Sequence, residues 1–238
     1  NRIRLQSIDP PRGLIYDRNN QVLVENRPSF DVTITIKDAR PVEQTISRLA
    51  DYLDVPAEEL LQKLSSSKGI SAYKPILLQQ DIGRNALAAI EAHKYDLPGI
   101  AINVKLLRHY LNVKDAAHLI GYLSEISAAE LAGGKYPGRR GGDFIGKFGA
   151  EKAFEKYLQG TRGGRQVEVN ANGRVVRVLK TVEAKPGQNI HLTIDHRLQK
   201  KTESLLQGVA GAAVAMDPGS GRILALASSP SFDQNYFA

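Results

Sequence analysis

Between residues 30 and 53 the apolar residues change their spacing, and one kind of layer cannot serve both periods. Phe30, Val32, Ile34 and Ile36 alternate with polar residues, the period of a half-buried strand. Val42, Ile46, Leu49, Ala50 and Leu53 then fall on one face of a helix following Pro41. A strand running straight into an amphipathic helix calls for a mixed layered fold, and the rest of the chain repeats the demand.

A second helix is predicted from Pro56, a residue suited to a first helical turn, through Leu60, Leu61 and Leu64 to a break at Ser65 to Gly69. A strand over Ile76 to Leu78, a helix over Arg84 to Tyr95, a Pro98-Gly99 turn and an alternating strand through Ile100, Ile102, Val104 and Leu106 complete an α+β module. Residues 133–146 hold six glycines with Lys135, Arg139 and Arg140, which reads as a mobile loop and the best candidate linker. Beyond it come a helix from Phe148 to Leu158 stopped by Gly160, a hairpin turning at Asn172-Gly173, and a strand through Ile190, Leu192 and Ile194. Asp195 is placed as the N-cap of a last helix, His196 to Leu206. Two apolar runs, Ala212 to Met216 and Ile223 to Ala227, should then pair as an antiparallel hairpin around Pro218 to Gly221.

The 238 residues, 42% of them hydrophobic, are enough for two small cores rather than one. With no Trp and one Met, those cores rest on Leu, Ile, Val and Ala. The absence of cysteine excludes a disulfide scaffold and thiolate metal sites. A formal charge of +7 favours anionic surroundings, among them nucleic acid, lipid headgroups and acidic polymers. Arg162, Arg165, Arg174 and Arg177 with the Gly/Arg loop keep a basic nucleic-acid-binding module open as an alternative, but no aromatic interleaving supports it and the reading is no nucleic acid. The longest weakly polar stretch, Gly208 to Met216, is far short of the roughly 20 residues a membrane helix needs.

Local clusters point to structure more than to chemistry. Glu58 and Glu59 are neighbours on a helix and diverge, so they read as surface charge. His93, His109, His118, His191 and His196 make no close ligand pair, and neither a metal nor a cofactor is expected. Gly146 and Gly149 flank a helix start as a phosphate cradle would, yet they match no phosphate-binding fingerprint. Arg12, Asp17 and Arg18 beside a turn can clamp irregular backbone with charge-assisted hydrogen bonds, and Gly13 lets the chain turn closely.

Four stretches, in order and together covering nearly the whole chain, resemble the N-terminal region of class B penicillin-binding proteins. They are Arg12-Gly13-Leu14-Ile15-Tyr16-Asp17-Arg18-Asn19; Arg108-His109-Tyr110 with Ala117-His118-Leu119-Ile120-Gly121-Tyr122; Gly146 to Glu151 with Leu158-Gln159-Gly160 and the Val167 to Val175 hairpin; and Thr193 to Asp233. Tyr122 to Ile126 and the hairpin are more similar to the elongation type than to the septal type, which stays as the alternative.

The resemblance implies a two-lobed pedestal of short strands and helices over residues 1–132, the Gly/Arg-rich loop over 133–146, the remaining pedestal over 147–195, and the first strands of a truncated transpeptidase domain over 196–238. It implies structural roles for Arg12, Gly13, Asp17, Arg18, Arg108, His118, Gly121, Gly146, Gly149 and Glu151. It further implies a serine-type D-Ala-D-Ala transpeptidase as parent, with Ser-x-x-Lys, Ser-x-Asn and Lys-Thr-Gly motifs. Ser65 to Lys68 fits the first as a string but lies too early in the chain, Lys180-Thr181 is followed by Val182, and Ser-x-Asn is absent, so no catalytic residue is expected here. The implied setting is the periplasmic face of the inner membrane, behind an N-terminal membrane helix that this chain lacks. The implied partners are an MreC-like scaffold, a RodA-like glycosyltransferase and, through the catalytic domain, peptidoglycan or its lipid-linked precursor. Leu49, Leu53, Leu60, Leu61 and Leu64 exceed what a thin sheet needs and are the expected partner groove.

Overall fold

The computed structural model describes residues 2–67, 71–169 and 175–237. Lys68, the Asn172-Gly173 turn and Arg174 lie outside the described residues. The chain divides into two compact units, both discontinuous: residues 1–2, 28–107 and 168–177 form unit 1, and residues 3–27, 108–167 and 178–238 form unit 2. The loop at 133–146 and the segment 196–238 both fall within unit 2.

In chain order the first elements are β1 (Arg2–Ile8), β2 (Ile15–Tyr16) and β3 (Val22–Ile34), whose end enters unit 1. Unit 1 continues with α1 (Val42–Leu53), α2 (Ala57–Ser66), β4 (Ile76–Gln79), α3 (Arg84–Ala92) and β5 (Ile100–Tyr110), which ends in unit 2. The alternation seen from Phe30 thus belongs to a longer strand, and β4 pairs antiparallel with it, Val32 facing Gln79 and Ile34 facing Ile76. The stripe on α1 seals this sheet: Ile46 and Leu49, with Leu60 from α2, join Val32, Ile34, Leu78 and Leu97 in one core. Asp54 ends α1 in the left-handed conformation, and Pro56 sits at the N-cap of α2 rather than in its first turn. The helix from Arg84 stops at Ala92 and gives way to a 3-10 turn at Lys94–Asp96.

The expected leucine groove is closed in the structure. Leu49 and Leu60 are fully buried, and Leu53 and Leu64 pack against the same core. Of the five, Leu61 stands exposed, at 37%. An amphipathic stripe on two helices against one sheet closes on itself, because each leucine gains more by leaving water than by lining an open surface.

Unit 2 holds α4 (Ala117–Ile120), β6 (Leu123–Glu125), α5 (Ala128–Ala132), β7 (Phe144–Gly146), α6 (Gly149–Ala153), α7 (Glu155–Leu158), β8 (Gly163–Val169), β9 (Val175–Val182), β10 (Ile190–His191), α8 (His196–Leu205), β11 (Gly211–Met216) and β12 (Ile223–Ser229), with β8 and β9 reaching unit 1 at their turn ends. Parallel β10 joins β2, which pairs antiparallel with the start of β3. Ile15, Leu23, Val24, Tyr110, Ile120 and Leu158 form the core beneath them. The helix expected from Phe148 is two short helices, broken at Phe154 (φ −105°, ψ 17°) between Glu151 and Glu155. The Gly/Arg segment is no free loop along its whole length: Phe144 to Gly146 pair with Leu123 to Glu125, and Ile145 is buried. Composition hid this strand, since glycine and arginine dominate the residues before it. β11 and β12 do pair antiparallel, Val214 opposite Leu226, with α8 packed on β12.

Candidate functional site

The densest chemistry in unit 2 is a buried ion network joining three of the recognised stretches. Glu151, on α6, has a side chain with no exposure, and each carboxylate oxygen meets a different arginine. Arg108 donates from Nε to Oε1 at 2.7 Å, and Arg12 donates from Nε to Oε2 at 2.8 Å. Arg12 Nη2 reaches on to Glu155 Oε2 at 2.6 Å, and Arg139, from the Gly/Arg segment, donates to Glu155 Oε1 at 2.9 Å. Both carboxylates, four positions apart across the break at Phe154, serve Arg12. Arg108 Nη1 also donates to the Gly13 carbonyl at 2.7 Å and to Asn26 Oδ1 at 3.2 Å, fixing irregular backbone. Charge-assisted bonds of this kind are short and specific, and the low-dielectric interior makes any missing member costly.

Asp17 is a second buried anchor. Its Oδ1 accepts the backbone N–H groups of Asn19 and Gln21 at 2.7 and 2.8 Å, and its Oδ2 accepts that of His196 at 3.2 Å. Burial alone would raise the Asp17 carboxyl, but these bonds hold it below its ordinary range. Glu155 behaves alike: burial raises it, and Arg12, the Gly146 N–H and Arg139 more than offset that, leaving it lowered. Groups depressed in the fold stabilise it above their unfolded pKa and lose that contribution as pH falls through the folded one. The urea midpoint of unit 2 is therefore expected to fall as pH drops from about 5 to about 3, and less steeply in Glu155→Gln. Equal slopes in the two proteins would count against the ion network as the cause.

The other singled-out residues do structural work. A Cβ on Gly13 would lie 1.9 Å from the Gln188 carbonyl oxygen, and one on Gly146 would lie 2.2 Å from that of Glu151. Gly149 abuts the Leu119 carbonyl oxygen, so the glycines that resembled a phosphate cradle instead admit neighbouring backbone. Arg18 contributes its backbone N–H, donated to the Ile194 carbonyl at 2.9 Å, while its side chain is exposed. His118 packs edge-on against Phe232 at 5.2 Å. The histidines do not converge: His93 stacks on Tyr52, His191 on Tyr16, His109 meets Glu25, and His196 Nε2 lies 3.1 Å from Asp115 Oδ2.

Ser65 bonds from Oγ to the Gln62 carbonyl at the exposed end of α2. Ser71 to Lys74 also spells Ser-x-x-Lys, a second string that sequence reasoning missed. It forms an exposed turn in which the Lys74 N–H donates to the Ser71 carbonyl at 2.8 Å. Lys180 and Thr181 stand exposed on β9. Sequence reasoning also missed Asp115 and Glu203. No local signal marked them: Glu203 Oε1, from α8, accepts the backbone N–H of Ala116, the residue before α4, at 2.7 Å. Burial, with Asp115 nearby, holds the Glu203 carboxyl above its ordinary range.

Residues 7–192 match the family described as penicillin-binding protein dimerisation domain. The chain is 36% identical over 237 residues to the peptidoglycan D,D-transpeptidase MrdA of Acinetobacter baumannii, covering 100% of this chain and 35% of that one. It is 33% identical over 241 residues to MrdA of Haemophilus influenzae, covering 100% of this chain and 37% of that one. A solved complex of penicillin-binding protein 2 and MreC from Helicobacter pylori contains a chain that superposes with a TM-score of 0.80 at 27% identity, covering 100% of this chain and 44% of that one. The chain thus spans little more than a third of the length of the curated relatives it matches. A match over residues 7–192 takes in the arginine-glutamate network and the glycines that admit it, and the chain belongs to the penicillin-binding protein dimerisation domain family.

Proposed function

We propose that this chain is the non-catalytic front region of an elongation-type peptidoglycan D,D-transpeptidase, serving as spacer and docking surface for the cell-wall machinery. The carrying observation is similarity along the whole chain to transpeptidases of which it spans only about a third. The acylated serine belongs to a domain beyond residue 238, and residues 196–238 begin that domain. Two facts support this boundary: the family match stops at 192, and α8 with the β11–β12 pair follows directly. The setting we infer is the periplasmic face of the inner membrane, with anchoring by an N-terminal helix; no helix among the described residues is long and apolar enough to cross a membrane.

The partner we infer is an MreC-like scaffold, on the strength of the Helicobacter complex, with a RodA-like glycosyltransferase following from family resemblance alone. With Leu49 and Leu60 withdrawn into the core, the docking surface rests on apolar side chains that unit 1 leaves exposed, Leu61 on α2 and Leu77 on β4. A few such anchors carry most of the energy of a protein interface. A fluorescent penicillin should leave the 238-residue chain unlabelled and label the longer parent. Leu61→Glu should weaken binding of the scaffold at least about tenfold, the effect of roughly 1.4 kcal/mol. Leu205→Glu, at a residue 70% exposed on α8, should leave binding unchanged. Labelling of the short chain would overturn the non-catalytic reading, and equal affinity of the two variants would overturn the docking surface.

A further inference from the structure

One short stretch of unit 2, Lys114 to Tyr122, receives both ends of the chain that follows the matched family region. At one end it holds α8. His196 Nε2 is 3.1 Å from Asp115 Oδ2, with the histidine side chain 7% exposed, and Glu203 Oε1 caps the Ala116 N–H at 2.7 Å. Asp17 adds its bond to the His196 N–H, and Asn19 Nδ2 donates to Asp195 Oδ2 at 3.2 Å.

At the other end the same stretch holds residues 231–237. Ser231 Oγ donates to the Lys114 carbonyl at 2.6 Å, and Gln234 Nε2 to the Asp115 carbonyl at 3.3 Å. Phe232 meets Tyr122 edge-on at 5.9 Å, and Phe237 stacks on Tyr122 at 4.3 Å. Just before it, Tyr110 exchanges two backbone hydrogen bonds with the Asn235 amide, at 3.0 and 3.1 Å. Between the two ends, fully buried Gln199 on α8 bonds both the N–H and the carbonyl of Leu226 on β12, at 2.7 and 2.8 Å.

The residues after 192 are therefore not tethered by a linker; they are fixed in orientation by directional, mostly part-buried contacts. We propose that Asp115, with Asp17 and Tyr122, is a positioning residue that sets the orientation of the catalytic domain from the dimerisation domain. This rests on the transpeptidase reading above. A buried polar contact has one good geometry and a steep cost for leaving it, so it transmits orientation where an apolar contact would slide. Asp115 is the centre, because its carboxylate holds α8 while its carbonyl holds residue 234.

The test uses the full-length parent and a fluorescent penicillin, with hydrogen exchange as a second readout. Asp115→Ala should lower the second-order rate of labelling at least about fivefold while the fraction labelled at saturation stays at the wild-type value. Exchange should rise over residues 196–205, whose hold on the Asp115 carboxylate is lost, and stay unchanged in α1 and α3. Tyr122→Leu, which removes the aromatic hold on Phe232 and Phe237 and leaves the Asp115 bonds in place, should lower the labelling rate more weakly, with exchange rising over residues 234–236 instead. Wild-type labelling rates in both variants would overturn the proposal. So would a saturating fraction that falls together with the rate in both, since that marks a purely structural role. If the wild-type parent is not labelled at all, the transpeptidase reading fails on its own, and exchange decides the clamp: protection unchanged at 196–205 in Asp115→Ala overturns it, and loss confined to those residues upholds it.

Discussion

Exchanging Glu151 for glutamine is expected to destabilise unit 2 by roughly 3–5 kcal/mol, the range for breaking a buried ion pair from one side. The change is nearly isosteric, so packing is preserved and the loss is electrostatic. Both carboxylate oxygens are taken by guanidiniums, Arg108 on one and Arg12 on the other. Whichever way the new amide sits, it turns an NH2 group toward one of two arginines that can only donate.

The local charge makes this worse. The network holds three guanidiniums, Arg12, Arg108 and Arg139, against the two carboxylates Glu151 and Glu155. Removing Glu151 leaves three against one, with Arg108, whose side chain is 1% exposed, losing its carboxylate partner. Removing Arg108 instead leaves two against two. Arg108→Met is therefore expected to cost clearly less than Glu151→Gln, although both sever the same 2.7 Å bond. The double variant should cost less than the sum of the singles by about 1 kcal/mol or more, because the second change removes the charge that the first left stranded. Chains of two compact units need not unfold in one step, so the measurement is hydrogen exchange of the α6 and β7 amides in urea. A Glu151→Gln cost below about 1 kcal/mol would show that water already reaches the network.

What could be read in advance divides along the range of the forces involved. Local signals were legible: the stripe on α1, the cap at Asp195 and the paired runs of β11 and β12 are set by neighbours a few positions away. The recognised stretches marked Arg12, Arg108 and Glu151 as structural, yet nothing local paired them, because Arg12 and Glu151 are 139 positions apart. Charge balance in a buried cluster is a property of the folded neighbourhood. The leucines of α1 and α2 failed for a related reason. Helical periodicity gives the width of an apolar face and leaves open what covers it, and here the unit's own sheet does. β7 was hidden because a strand of three residues has too few positions to display a period.

Gly121→Ala should be the second most damaging single change, costing more than about 3 kcal/mol, and it tests whether the Ala117-to-Tyr122 stretch needs its glycine for shape alone. Two separate penalties meet at this position. Gly121 has φ +78° and ψ −158°, a region in which a side chain clashes with its own backbone. A Cβ there would also lie 2.0 Å from the Phe148 carbonyl oxygen, well inside contact distance and against backbone that cannot swing aside. That carbonyl belongs to the residue capping α6, so a shift at Gly121 reaches the helix that carries Glu151. Gly134→Ala separates the two penalties. Gly134 also has positive φ, +65°, but a Cβ there meets nothing within 4 Å. It should cost only the roughly 1–2 kcal/mol of placing alanine in the left-handed region. Exchange of the α4 and α6 amides would compare the pair. A Gly121→Ala cost no larger than that of Gly134→Ala would mean that the backbone at Phe148 yields, and that the contact between α4 and α6 is softer than its geometry implies.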